Sequence, residues 1–151
     1  MPDDSTYNQP FYLELAWGEL DTAEFPGSQD NPKVVAYHSY TDGGSTPDAI
    51  SWCSSFVCAC VERAGLKSPH SKAAISWMRW GEDAGGPHYG DICVLWRGET
   101  PADWQSHVGF VVGWDDTNVY LLGGNQSDRV RASRYPRNKV RGFRRSLVAA
   151  A

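Results

Sequence analysis

Four cysteines and four histidines are the groups in this chain best suited to covalent or metal chemistry. Three of the cysteines crowd into "ISWCSSFVCAC", residues 50–60, at positions 53, 58 and 60, and Cys93 lies in a later apolar run. The spacing C-x4-C-x-C within one helix points neighbouring sulfurs to different faces, so it does not wrap a tetrahedral ion; no C-x2-C pair exists elsewhere. Helix geometry also forbids a disulfide between Cys58 and Cys60. Each sulfur must therefore be judged alone, as a thiol.

Cys53 stands at the predicted start of a helix, where unpaired N–H groups and the positive end of the macrodipole favour an anion. For a thiol that anion is the nucleophilic thiolate. Cys53, Phe56, Val57, Cys60, Val61 and Ala64 form one helical stripe, on which Cys60 lies two turns inward as an inert core thiol. Cys58 falls off the stripe and Cys93 is mid-strand. This reading leaves Cys53 exposed at the dipole end with passive neighbours.

A nucleophilic thiol needs a base. His38, His70 and His88 lie in "AYHSY", "SPHS" and "GGPHYG", where no spacing argument singles them out. His107 opens the strand-like "HVGFVVGW", and residues 107–125 read as a hairpin turning at "DDTN". Val111 then faces Leu121, Gly109 faces Gly123, and His107 faces Asn125 within reach of a side-chain hydrogen bond. A register shift makes Gln126 the competing partner, because a one-residue slip flips every side chain to the other face. The opposed glycines are expected to let the helix start approach the sheet. The constellation is nucleophile Cys53, base His107 and orienter Asn125, with Gln126 as possible support.

These groups must be held by one domain of 151 residues with 41% hydrophobic and 21% charged content, enough to bury a core. The apolar period is helical first: about 10–20, with Tyr12, Leu15 and Ala16 on one face; a short piece at "PKVVAYHSY"; a helix from 53 closed by Gly65; and a third over about 71–80, carrying Ala73, Trp77 and Trp80 and stopped by Gly81. The period then changes to two, giving strands at "DICVLWR", "HVGFVVGW", "NVYLLGG", "RVRAS" and "KVRGFRR". The expected fold class is α+β, with N-terminal helices packed on a C-terminal antiparallel sheet of about five strands connected as a meander.

In this order, "WCSSF", "GD", "HVGFV" and "GGNQ" resemble the papain-like peptidoglycan hydrolases, nearest the cysteine- and histidine-dependent amidohydrolase/peptidase (CHAP) and NlpC-type groups and a small phage-lysin-like subgroup. "EFPGSQDNPKVVAYH", "AAISWMRWG" and "VRGFRR" fit the same subgroup, so the resemblance covers about residues 12–145. It implies a papain-like fold, Cys53 as nucleophile, His107 as general base and acid, and Asn125 as the third polar residue. It further implies cleavage of an amide in the cell-wall stem peptide without a cofactor. Asp42 and Asp48 flank "GGSTP" but lack the alternating carboxylates of a calcium loop, so no metal is expected. Trp52, Trp77, Trp104 and the basic C-terminal end are the expected substrate contacts.

The net charge of −4 hides an asymmetry. Residues 1–30 hold seven acidic and no basic side chains, whereas 129–145 hold eight of the fourteen Lys and Arg and no acid. Arg on the solvent faces of edge strands, which discourages aggregation, is favoured over an anionic-polymer site, and overall acidity argues against a nucleic-acid binder. No signal peptide or membrane span of about 20 apolar residues is present. The expectation is synthesis in the cytoplasm, then action on the bacterial cell wall or periplasm after holin- or secretion-system-dependent delivery, as an endolysin or an interbacterial toxin. The partner is peptidoglycan, with an inhibitor or immunity protein if the chain is a toxin. The alternatives are a papain-like acyltransferase or transglutaminase-type enzyme and a non-catalytic wall-binding module.

Overall fold

The computed structural model describes residues 10–25, 30–42, 51–102 and 105–147. Three helices come first. α1 (Phe11–Gly18) buries Tyr12, Leu13 and Ala16, so Leu13 takes the place expected of Leu15. α2 (Pro32–His38) starts with Pro in its first turn, where the missing N–H costs nothing, and the Asn31 side chain accepts from Lys33 N at 2.9 Å. α3 (Cys53–Arg63) is closed by Gly65 at φ +89°: Gly65 N–H reaches Glu62 O at 3.0 Å and Leu66 N–H reaches Val61 O at 3.1 Å. That pair of bonds is the Schellman arrangement, which needs a left-handed residue at this position.

Burial on α3 is not confined to the expected stripe. Every residue from Cys53 to Val61 is buried, Cys58 included, because α1 and α2 pack on one side and the sheet on the other. A helix enclosed all round must satisfy its polar side chains internally. Ser54 Oγ donates to Ser71 O and accepts from Trp77 Nε1, while Ser55 Oγ pairs with His38 Nδ1 at 2.7 Å. The expected third helix is a 3₁₀ segment, Ala74–Arg79. Its three-residue period lines up Ala74, Trp77 and Trp80, which replaces the i, i+4, i+7 pattern starting at Ala73.

The sheet comprises β1 (Glu82–Asp83), β2 (Ile92–Trp96), β3 (Ser106–Trp114), β4 (Asn118–Gln126), β5 (Arg129–Pro136) and β6 (Val140–Arg145). Its order is β1-β6-β2-β3-β4-β5 with every neighbouring pair antiparallel. The fold class is α+β. β2 to β5 form the expected meander, but β6 crosses back to the far side of β2 and adds β1, giving six strands rather than about five. The basic C-terminal stretch is thereby divided: β5 is one edge of the sheet, and β6 lies near the other with β2, β3 and β4 between.

Each side of the sheet has its own core. Ile92, Val94, Val108, Phe110, Leu122 and Val130 pack with the helices. Cys93, Leu95, Val111, Val119 and Leu121 form a second cluster, joined by Tyr135, Val140 and Phe143. Tyr135 pairs with Val119 and Val119 with Trp114, seven residues along β3 from His107. In a flat sheet that offset would exceed about 20 Å. The rings of His107 and Tyr135 are nevertheless 5.3 Å apart between centroids, so the twist and coil of the sheet bring the Tyr135 side chain to the start of β3.

Candidate active site

Cys53 is the first residue of α3 and is 2% exposed, buried rather than open at the helix end. The burial follows from how closely the helix start meets β4. A Cβ on Gly124 would lie 2.7 Å from both Phe56 Cβ and Trp52 Cε3, so Gly124, not the Gly109/Gly123 pair, admits the helix. Trp52 at the N-cap supplies no side-chain acceptor to the first turn, which leaves the N–H groups there for another partner.

Trp52 and Trp77 do not serve as substrate contacts, because both are fully buried. Trp52 stacks on Tyr37 at 5.9 Å and donates from its indole N–H to Glu24 Oε1 at 2.8 Å. Trp77 donates to Ser54 Oγ at 3.0 Å. Trp104 lies outside the described residues, as does Asp48; Asp42 accepts Lys72 Nζ at its backbone carbonyl.

The hairpin has the expected register at Val111↔Leu121, continued by Phe110↔Leu122. It departs from that register at the far end of β4. Asn125 adopts φ +58° and the pairing of β4 with β5 shifts between Gly123 and Gln126. This bulge inverts the side-chain alternation and brings Gln126 onto the face of His107. Gln126 Oε1 meets His107 Nε2 at 2.9 Å, while Gly109 and Gly123 leave the room its amide occupies. Asn125 is turned away and donates from Nδ2 to Ser51 Oγ at 3.4 Å. The imidazole partner is therefore Gln126 rather than Asn125.

The amide of Gln126 can adopt one orientation only. Its Nε2 donates to Leu121 O at 3.0 Å and Arg131 O at 2.5 Å, so Oε1 is the acceptor and His107 Nε2 must carry a proton. Nδ1 is left to exchange a proton with the sulfur. Burial by itself would raise the Cys53 thiol, but the charge and hydrogen bond of His107 oppose it, helped by the Val108 backbone and Ser51 hydroxyl, and the net shift is downward. Burial likewise pushes the imidazole down, yet the Cys53 charge, its hydrogen bond and Gln126 outweigh it, so His107 is raised. The two opposite shifts describe a thiolate–imidazolium pair. Asn125 acts on the sulfur side of this pair, through Ser51.

Burial pushes the other three thiols up, which keeps Cys58, Cys60 and Cys93 protonated and inert. The remaining histidines serve other contacts: His38 with Ser55, His70 with Glu62 at 3.4 Å, and His88 with Asp91 at 3.1 Å.

Sequence reasoning missed Tyr135. Its hydroxyl is 3.3 Å from His107 Nε2, which gives the imidazole a second partner. Burial, then the Cys53 charge, pushes its phenol up to about 12, so it stays neutral. Only the coil of the sheet joins it to His107, and no local spacing signals that.

No protein-family model matches the chain, and no curated protein matches it. Among solved structures it is similar to a lipoprotein-like protein of the NLP/P60 family from Staphylococcus aureus, with 18% identity and a TM-score of 0.53. The match covers 98% of this chain and 43% of that one, so this chain spans less than half the length of its neighbour. The likeness is one of fold: an α+β arrangement of the kind seen in an NLP/P60 protein.

Proposed function

We propose that the chain is a thiol-dependent hydrolase that cuts an amide bond of the peptidoglycan stem peptide. The observation that carries this reading is the lowered Cys53 thiol facing an imidazole whose far nitrogen is pinned by Gln126. The sulfur of Cys53 attacks the carbonyl carbon, and the oxyanion is received by the Cys53 backbone N–H at the uncapped helix start. His107 gives the proton on Nδ1 to the leaving amine as the C–N bond breaks, leaving an acyl-enzyme. Neutral Nδ1 then takes a proton from water, whose oxygen attacks the thioester carbonyl and displaces the sulfur. Gln126 holds the ring through both transfers. The likeness to an NLP/P60 protein supports the cell wall as the setting. A CHAP-type lysin released by a phage and a toxin sent into rival bacteria would both use this chemistry.

The test is digestion of sacculi of several wall chemotypes, with the released fragments resolved by mass spectrometry. Stem-peptide release by the wild type and none by folded Cys53→Ala is the expected result. No cleavage of any chemotype overturns the reading, and a product carrying a new amine in place of water assigns acyl transfer instead.

A further inference from the structure

We propose that Arg97 and Arg131 form an anion-recognising rim beside the thiol–imidazole pair, and that the scissile amide belongs to a peptide with a free carboxylate next to that bond. This rests on Cys53 and His107 being the reacting pair. Arg97 continues the β2–β3 ladder through its N–H bond to Gln105 O at 2.8 Å, two residues past the Leu95↔His107 pair, and so shares the face of His107. Arg131 pairs with Gly123, and its carbonyl accepts from the same Gln126 amide that holds the imidazole. Both side chains are exposed.

Five other arginines are tied down: Arg63 to Tyr40 and Glu19, Arg137 to Asp115, Arg141 to Ser106 and Pro101, Arg144 to Trp80, and Arg145 to Glu82, whereas Arg79, Arg129 and Arg134 make no such bond among the described residues. Among the described residues, neither Arg97 nor Arg131 has a side-chain hydrogen bond or ion pair. From β2 to β5 the strand residues of that face carry no acidic side chain. Cations so placed work against the imidazolium, and the Arg97 charge does push His107 down against the larger upward effect of Cys53. A substrate carboxylate on the rim removes that opposition when the bond is to be cut. A guanidinium pair suits a carboxylate because it offers planar, charge-assisted donors.

Two alkylating agents of nearly equal size isolate the effect without needing wall cleavage. Iodoacetate is anionic and iodoacetamide neutral, and Cys53 is the thiol both will modify. At low salt the rate ratio of iodoacetate to iodoacetamide should fall roughly three- to tenfold in Arg97→Gln/Arg131→Gln, and return towards the wild-type value in Arg97→Lys/Arg131→Lys. An unchanged ratio in the folded Gln variant overturns the proposal. Soluble stem peptides with a free carboxylate or a carboxamide beside the cut then test the substrate. The carboxylate form should be preferred by the wild type and lose that preference in the Gln variant; equal cutting of both forms overturns the assignment. A falling alkylation ratio with no peptide cut retains the rim and rejects the hydrolase reading.

Discussion

Gln126 Oε1 stands 2.6 Å from the point where a Cβ on Gly123 would sit. Two neighbouring glycines therefore have separate duties: Gly123 seats the amide that holds His107, and Gly124 admits the start of α3.

Substituting them disturbs the site by different routes. Gly123→Ala should move the Gln126 amide off the imidazole, lowering the alkylation rate of Cys53 about tenfold, and should cost about 1–3 kcal/mol of stability because the buried amide also leaves Leu121 O and Arg131 O. Gly124→Ala meets the Trp52 ring and Phe56 Cβ, both 2.7 Å away, and should destabilise the fold by about 1–3 kcal/mol in urea unfolding.

Gln126 and Asn125 should fail differently. Gln126→Ala removes the acceptor of Nε2–H and should lower hydrolysis roughly 10- to 100-fold, moving both limbs of the pH profile. Asn125→Ala loosens only Ser51, a hydrogen-bond partner of the sulfur, and should shift the acid limb alone with a loss of a few-fold. Equal effects from both substitutions would contradict this division.

The pH dependence follows from the two opposed shifts. The thiol lies below its ordinary 9.0 and the imidazole above its ordinary 6.5, so both shifts favour the charged pair. Alkylation of Cys53 should persist to lower pH than for an ordinary thiol and fall as the pH drops through the lowered thiol value. Hydrolysis should fall again on the alkaline side, as the imidazolium loses its proton through the raised value. In His107→Ala the sulfur keeps its burial and loses its main counter-charge, so its acid limb should move to higher pH and cleavage drop by about 10²–10⁴.

Trp52→Ala and Trp77→Ala should behave as core truncations, each costing about 3–5 kcal/mol of stability by denaturant titration. Where the variants remain folded, their affinity for sacculi should be that of the wild type.

The sequence was legible wherever one period ran uninterrupted. Alternation along "HVGFVVGW" and "NVYLLGG" sets Val111 against Leu121, and the left-handed Gly65 marks the end of α3. The readings that changed depend on breaks in regularity or on distant packing. Asn125 tolerates the left-handed conformation without demanding it, so its bulge and the inversion that selects Gln126 leave little trace in residue order. Trp52 and Trp77, expected as substrate contacts, are buried because α3 is enclosed all round. The return of β6 to β2 and the meeting of Tyr135 with His107 are properties of the assembled, coiled sheet.

The strand order has a consequence for how reactivity arises as the chain is made. His107 and Val108, which lower the sulfur, are drawn from the sheet, and Tyr135 and the Gln126 seat rely on β5, far beyond α3 in chain order. A ribosome-bound chain that has released α3 but not these strands carries only an ordinary, mostly protonated thiol. Nucleophilicity is thus a product of tertiary folding: the thiol becomes chemically armed only when the sheet closes over the start of α3.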